Sequence, residues 1–566
     1  MEKTCKQCGN QFEVLKEDQE FYKRISPKFD GQTFEMPAPS LCFSCRHQKR
    51  LAFRNEMALY HRKCDKTGKQ MISMYAPESP YKIYDQEVWW GDSWDPLEYG
   101  RDLPAGRQGF DFNRPFFEQF AELQKEVPRM SLNNIKAENS EYCNLALGNK
   151  NCYLIYTADY CENSAYLRFG VKNYQCFDGF YIDNSTECYE GVELDGCNRC
   201  FYSYKAKNCS GLVFCYNMMS CHDCIGCANL VNKKNCIFNE QYSKEEYEAK
   251  KKEFNLGSYS ATVELKEKYD EFLKKQIRKY LDVLNCDNCH GDHLKDCKNA
   301  YLCYDSQNLE DCRYIISCVG PKDCYDWDFY GGTGSQLCHE MVSSAYDMMN
   351  CHFCANSWNG NSDMYYCELC LGSQNLFGCI ALRHQKYCIL NKQYTKEEYE
   401  KMVAKIIQHM VKTGEWGEFF PKELSPFAYN ETIAYEYFPL EKEDVLAKGW
   451  RWYEDESEKM YKGAKYEIPD NVKDVKDDIL KAILTCDETG KPYKIIPHEL
   501  EFLKKVGLPV PRFSPKKRYQ NRAIIRNPFA IYERTCSKCG EKIFTSYGPE
   551  RSEPVYCEKC YLEAVF

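Results

Sequence analysis

The sequence predicts a mixed, mainly β protein. A Cys- and Tyr-rich right-handed parallel β-helix in two repeats occupies the centre, interrupted by a helical insertion. Tandem Cys-based metal-binding modules flank it at both termini. Three observations carry this expectation. Matched CxxC pairs stand at the two ends of the chain. Between them Cys recurs at intervals of 12, as at Cys152, Cys176, Cys188 and Cys200, with Ser164 filling one interval. Two charged stretches open with capping-box sequences and read as helices.

The chain has 566 residues, enough for three or four domains, and 45 Tyr with which to build cores. No apolar run approaches a membrane span. The start, "MEKTCKQCGN", enters a CxxC pair with neither a basic nor an apolar leader region, so a cleaved secretory signal is not expected. The 37 Cys sit in a long chain with zinc-like pairing, which points to a cytoplasmic protein with reduced thiols. The net charge of −9 is unevenly spread: residues 42–70 carry +6 and residues 512–542 carry +7, leaving −22 elsewhere. Two basic patches on an acidic body suggest local contact with a polyanion.

The first site is Cys5, Cys8, Cys42 and Cys45, and the last is Cys536, Cys539, Cys557 and Cys560. Four thiolates in CxxC…CxxC spacing suit tetrahedral zinc, so two zinc ions per chain are expected. The two ends are related. At an offset of 472 residues, "RNEMALYHRKCDKTGKQMISMYAPESPYKIYDQEV" (54–88) aligns without a gap on "RNPFAIYERTCSKCGEKIFTSYGPERSEPVYCEKC" (526–560). Thr67, Asp85 and Val88 then stand opposite Cys539, Cys557 and Cys560. The same offset places Cys42 and Cys45 opposite Ser514 and Lys517, and "CKQCG" (5–9) corresponds to "CDETG" (486–490). Each terminus therefore reads as one intact and one degenerate module.

The stretch "CKQCGNQFEV…EDQEFYKRI…PSLCFSCRHQKR" resembles the treble-clef-type "probable zinc ribbon" family over about the first 50 residues. The whole chain resembles a functionally uncharacterised family of zinc-ribbon proteins from candidate-phyla-radiation bacteria, on "RHQKRLAFRN", "YHRKC", "WDPLEYGRD" and "AYEYFPLEKEDVLAKGWRW". That family has Cys where this chain has Thr67, Asp85 and Val88. The resemblance implies zinc-ribbon folds at the ends and supplies no activity.

The centre holds 27 Cys between positions 143 and 388. Short periods without intervening helices suggest stacked β-coils, each coil built from two repeats of 9–12 residues, about 21–24 residues in all. Cys and Ser would fill the narrow inside corners, with Tyr, Phe and Ile on the flanking strands. In the second half the spacing is noisier, at Cys312, Cys324, Cys338 and Cys351. "NCIFNEQYSKEEYE" (235–248) aligns on "YCILNKQYTKEEYE" (387–400) at an offset of 152. "CHDCIGC" (221–227) has iron–sulfur-like spacing, but its Cys fit the ladder, and the expected role is structural; "CNRC", "CHFC" and "CELC" read alike.

Ser243-x-x-Glu246 and Thr395-x-x-Glu398 are capping boxes. The first opens a helical hairpin broken at "NLGSYS"; the second opens a helix that ends at Gly414. "LPAGRQG" reads as a surface loop, and the three Trp of "WWGDSWDP" as a buried hinge in preference to a base-stacking surface. The expected order is an intact zinc ribbon (1–60), a degenerate one (61–100), a helical linker (101–134) and β-helix half 1 (135–242). A helical insertion (243–284), β-helix half 2 (285–394), a connector (395–480), a degenerate ribbon (481–530) and an intact ribbon (531–566) follow.

For function, the basic residues after the knuckles lead to RNA or the ribosome as partner: Arg46, Lys49, Arg50, Arg54 and Arg62 at one end, Arg518, Arg522, Arg526 and Arg534 at the other. Residues 46, 50 and 54, like 518, 522 and 526, share a helix face and would form a cationic stripe. The competing reading has these arginines pair with the acidic body and fasten the ends to it. A second function is a scaffold for protein partners with purely structural zinc. A β-helix enzyme is the third, but acids such as Asp178, Asp183, Glu193, Asp195, Asp326 and Asp328 show no catalytic pairing, and no catalytic residue or small-molecule substrate is assigned. No membrane association is expected.

Overall fold

The computed structural model describes residues 1–100, 102–103, 107–108, 110–287, 289–297, 301–307, 316–319, 360–454 and 465–565. Cys312, Cys324, Cys338, Cys351, "CHFC", Asp326, Asp328 and most of "LPAGRQG" lie outside them. Among the described residues helix and strand occur in comparable share, so these are mixed and not mainly β. It divides into two compact units. One comprises Met1–Leu132, Leu281–Tyr453 and Phe529–Ile531; the other comprises Asn133–Tyr280, Glu454–Pro528 and Tyr532–Phe566. Each unit thus takes its terminal modules from one end of the chain and its Cys-rich ladder from the other half of the centre.

In the second unit, strands Tyr156–Asp159, Ala165–Val171, Phe177–Asp183, Val192–Asp195, Tyr204–Lys207, Tyr216–Met219 and Ala228–Val231 form a seven-stranded parallel sheet. Neighbouring strands pair residues 12 apart, as in Tyr156↔Arg168, Phe180↔Val192 and Tyr204↔Tyr216. The step is 12 residues and not the 21–24 expected. The reason is local: every third residue from Leu145 to Phe238 has positive φ, for example Thr157 (51°), Tyr160 (54°), Asn163 (51°) and Tyr166 (59°). The chain turns after each triplet, so four triplets suffice for one step.

Left-handed backbone costs an L-residue about 1–2 kcal/mol, so the stacked rungs must offset it. The hydrogen bonds follow the triplet. Tyr153 N–H donates forward to Ser164 O (3.1 Å), and Tyr166 N–H donates back to Tyr153 O (3.0 Å). The third N–H belongs to the residue whose side chain points inward, and at polar inward positions it donates to the side chain one step back. Cys152 N–H reaches Ser140 Oγ (2.9 Å), Cys161 N–H reaches Asn149 Oδ1 (2.7 Å) and Cys221 N–H reaches Cys209 Sγ (3.4 Å). The same side chains donate to the carbonyl two residues back, Ser164 to Glu162 O (2.9 Å) and Cys188 to Thr186 O (3.5 Å). The inward residues, from Cys143 through Cys152, Cys161, Cys176 and Cys188 to Cys236, form one buried cluster spaced in multiples of three. "CHDCIGC" is three successive inward positions, Cys221, Cys224 and Cys227.

Outward aromatics of this ladder, Tyr166, Phe177, Tyr189 and Phe201, join a second core with Leu265 and Tyr269 of the helix Tyr259–Lys274 and with Leu500, Phe502 and Leu503 of the helix Pro497–Val506. The hairpin of helices Lys244–Glu253 and Tyr259–Lys274 opens on the Ser243–Glu246 capping box.

The first unit repeats the pattern in Ser362–Tyr365, Gln374–Phe377 and Lys386–Ile389, again paired 12 apart, with positive φ at every third residue from Gly360 to Leu390. Its inward residues include Cys367, Cys370, Cys379 and Cys388. Its outward Tyr365, Phe377 and Ile389 pack with Tyr399, Val403 and Ile407 of the capped helix Lys396–Thr413, and with aromatics of the N-terminal modules.

If the inward thiols hydrogen-bond and do not merely fill space, Ser will replace them better than Ala. Cys209→Ala removes both the acceptor for Cys221 N–H and the donor to Lys207 O, and is expected to cost about 1–3 kcal/mol. Cys209→Ser is expected to cost clearly less. Urea unfolding of the two variants checks this, and equal losses would make the sulfur a filler.

Candidate metal centres

Each terminal cluster is built on a hairpin and a helix start. At the N-terminus, Cys5 and Cys8 lie in the turn joining strands Glu2–Thr4 and Gln11–Glu13; Cys42 is the N-cap of the helix Phe43–Leu51, and Cys45 lies in its first turn. At the C-terminus, Cys536 and Cys539 join Tyr532–Thr535 to Lys542–Thr545, and Cys557 and Cys560 stand at the start of the helix Glu558–Val565. In each cluster all four sulfurs lie within 4.8 Å of one another. Cys8 and Cys42 are 3.7 Å apart, and Cys539 and Cys557 are 3.9 Å apart. Thiolates at about 2.3 Å from a tetrahedral zinc stand about 3.8 Å from each other, so both quartets fit that ion.

The electrostatics agree. Burial alone would raise the Cys5 thiol, but N–H groups of Cys42, Cys8 and Gln7 outweigh it and hold the thiol down at about 6. Cys536 is likewise held at about 6 against burial, by N–H groups of Cys539, Cys557 and Lys538. Such thiols are ready ligands at neutral pH. The ladder thiols are the opposite case. Burial pushes Cys152 up to about 11 and Cys161 up to about 12. Among the described residues no three ladder thiols converge as the terminal quartets do. The partners in each quartet are shifted the other way, Cys42 and Cys45 chiefly by burial and Cys560 by burial and the neighbouring sulfurs, so each cluster has one acidic thiol, on its first Cys. Sulfur is thus presented in two ways: gathered around one acidic thiol at the ends, strung out and protonated in the ladders.

The degenerate modules keep the backbone of the knuckle without its ligands. In all four segments the carbonyl of the first Cys accepts from the N–H of the Gly four residues on: Gly9 to Cys5 (3.0 Å), Gly68 to Cys64 (2.8 Å), Gly490 to Cys486 (2.9 Å) and Gly540 to Cys536 (2.9 Å). Those glycines have φ of 77°, 71°, 67° and 76°, the left-handed turn that lets the chain double back. Where the second Cys is missing, the Thr67 and Thr489 hydroxyls bond the remaining thiols of Cys64 and Cys486. Where the third is missing, Asp85 and Ser514 cap the next helix, accepting from Glu87 N–H and Lys517 N–H. Asp85 N–H still donates to Cys64 Sγ at 3.4 Å, as Cys557 N–H does to Cys536 Sγ at 3.3 Å. A capping side chain and a Thr–thiol bond stand in for the metal cross-link.

The structure turns the expected cationic stripes inward. Arg46, Arg50, Arg54, Arg62, Arg518 and Arg522 are all buried. Arg46 donates to Leu41 O (2.9 Å), Lys49 to Phe419 O (2.9 Å), and Arg54 pairs with Glu56 at 2.6 Å. Arg62 pairs with Asp65 at 3.2 Å. Arg518 lies 2.6 Å from both Asp178 and Glu499, and Arg522 lies 2.9 Å from Asp178. Arg526 pairs with Glu193 and lies over the Tyr181 ring, and Arg534 donates to Gly548 O (3.3 Å). Sequence reasoning had Asp178 only as one scattered acid and missed Glu499 altogether. No spacing signal marks them, because Asp178 meets the arginines from far away in the chain and Glu499 meets Arg518 from a neighbouring helix. Of the three Trp, Trp89 and Trp94 are buried, and the Arg383 guanidinium lies 4.3 Å from the Trp89 ring centre.

Among the described residues no helix is long and apolar enough to cross a membrane. No protein-family model matches the chain, and no curated protein matches it.

Metal analysis of the full chain is expected to give two zinc per molecule, falling to one in the Cys539→Ser/Cys557→Ser variant. After chelation, a thiol reagent is expected to label the terminal Cys quickly and the ladder Cys only on unfolding. Ladder labelling at the same rate would remove the distinction between the two classes of sulfur.

Proposed function

We propose that the protein is a non-enzymatic scaffold for protein partners, with two structural zinc ions. Its ladders are read as β-helices of 12 residues per coil, supported by the uniform register and the triplet of left-handed residues. The terminal modules are read as zinc ribbons of the treble-clef kind, and the cytoplasm as the compartment, because the inward thiols must stay reduced to hydrogen-bond. The observation that carries the functional reading is the fate of the arginines: Arg46, Arg50, Arg54, Arg518 and Arg522 are buried, and Arg518 and Arg522 are paired with Asp178. A quartet of Cys also closes the coordination sphere of zinc, whereas catalytic zinc keeps a position open. RNA or ribosome binding is the second reading, and in this fold it would draw on cations other than those stripes.

The two readings separate on salt. The full chain is expected to show no saturable binding to single-stranded RNA at low salt; binding that falls steeply between roughly 50 and 200 mM salt would replace the scaffold by an RNA binder. The fastening role has its own check. Asp178→Ala takes from buried Arg522 its carboxylate partner and leaves Arg518 with Glu499 alone, and is expected to cost about 3–5 kcal/mol in the unfolding of the second unit. An unchanged unfolding midpoint would return the arginines to the surface.

A further inference from the structure

The helix Pro515–Ala523 and the helix Phe43–Leu51 align at the offset of 472, but their far ends are treated differently. In the first unit the end of Phe43–Leu51 is covered by residues 416–438 of the same unit. Leu51, Ala52 and Phe53 are almost wholly buried there. The Phe53 ring meets Phe419 edge-on at 5.3 Å and Phe420 at 5.9 Å. Three polar contacts fix the covering segment: Gln48 donates to Tyr429 Oη (2.7 Å), Ser425 Oγ to Ala52 O (2.6 Å) and Ile433 N–H to Arg54 O (3.0 Å).

In the second unit the corresponding residues are open. Ile524 and Ile525, which align with Ala52 and Phe53, are 76% and 40% exposed. Gln520, which aligns with Gln48, is exposed too. The chain that would cover them goes elsewhere. After the capped helix Lys396–Thr413, the first unit runs on across the module. After the capped helix Lys244–Glu253, the second unit makes the helix Tyr259–Lys274, which packs on the ladder through Tyr269 against Phe214 (5.8 Å) and Phe272 against Phe238 (5.5 Å).

We propose that the face formed by Gln520, Ile524 and Ile525 is a docking site for a short aromatic segment of a partner protein, of the chemistry that residues 416–438 supply to the other unit. This rests on the scaffold reading and names the kind of partner it would take. The segment has a Phe pair for the isoleucines and a Tyr hydroxyl for the Gln520 amide. It is also acidic, with four Glu against one Lys, and the helix it would meet, "PKKRYQNRA", carries no acid and exposes Lys516, while its Arg518 and Arg522 are buried against Asp178. Exposed adjacent isoleucines beside an unused amide match an amphipathic partner better than they match water.

The test uses the full chain and a fluorescent peptide of its own residues 416–438 as probe. Saturable binding is expected, weakened at least tenfold by Ile524→Asp, a substitution at an exposed position whose unfolding midpoint should not move. Gln520→Ala and the peptide change Tyr429→Phe should each weaken binding several-fold, and together no further than either alone. Absence of saturable binding, or binding indifferent to both Ile524→Asp and Gln520→Ala, overturns the proposal. So does a concentration-dependent dimer that Ile524→Asp dissolves, because the face would then belong to a second copy. A negative peptide result with no RNA binding would remove this site and leave the scaffold reading standing, whereas steep salt-dependent RNA binding would remove that reading itself.

Discussion

A left-handed residue at every third position is the constraint from which the ladders follow. It turns the chain after each triplet and points one N–H in three toward the interior, where there is no strand partner for it. A buried donor without an acceptor costs about 1–3 kcal/mol, and the ladder has many rungs. The inward position therefore needs a side chain that is small, accepts a hydrogen bond from the next rung and donates one to its own. Ser, Asn and Cys qualify. At Ser140, Ser164, Ser185 and Ser203 the acceptor is a hydroxyl, at Asn149 and Asn173 an amide, and at Cys209 and Cys221 a sulfur. Cys adds an apolar surface that Ser lacks, so the same residue seals the core and satisfies the backbone.

That constraint explains why the centre of the chain imitates a metalloprotein. Triplet spacing makes any two neighbouring inward Cys a CxxC pair and any three a CxxCxxC. A metal site needs more than spacing: its sulfurs must converge and must ionise. The knuckle turn brings its sulfurs together by folding back on itself, and lowers the thiol of the first by aiming several N–H groups at it. The ladder does neither, since its sulfurs act as donors to carbonyls and burial keeps them protonated. Identical local sequence thus has two physical meanings, decided by whether the backbone N–H groups look at the thiol or the thiol looks at the carbonyls.

Much of this was legible in the sequence, and the gaps have definite causes. The interval of 12 was visible at Cys152, Cys176 and Cys188, but joining two intervals into one coil doubled the step, because the left-handed residues occupy Thr157, Tyr166 and Phe169, types that carry no turn signal. The metal quartets were legible because ligand spacing is nearly a sufficient description of a closed four-cysteine site. The arginines were not. Spacing of four put Arg518, Arg522 and Arg526 on one helix face; Arg518 and Arg522 do lie on the helix Pro515–Ala523 and Arg526 lies beyond its end, but sequence alone does not say whether a face looks at water or at Asp178. The −22 charge of the remaining chain was the available hint, and it belonged to the fastening alternative.

The distribution of metal along the chain follows from what each module can bury. The hairpin Glu2–Thr4/Gln11–Glu13 has no buried residue of its own; Phe12 packs against the main core, which the same module joins through Phe21, Tyr22 and Phe29, and Cys5 and Cys45 are buried beside it. The last module packs as a small separate cluster of Ile543, Tyr547, Val555 and two of its ligands. Structures that small are marginal without a staple, and a zinc ion held by the four Cys would supply one. The hairpins of the two degenerate modules themselves bury residues, Met71 in one and Leu484 and Tyr493 in the other. Met71, Tyr75, Ile83 and Trp89 of one belong to the main core of the first unit, and Leu484, Tyr493 and Ile495 of the other to that of the second. Where a hairpin's own side chains are part of a large core, a metal cross-link adds less, and a helix cap with a hydroxyl–thiol bond can take its place. On this argument a metal cross-link matters most where the hairpin buries least, in the first hairpin, which buries none of its own residues, and in the last, which packs only in a small cluster.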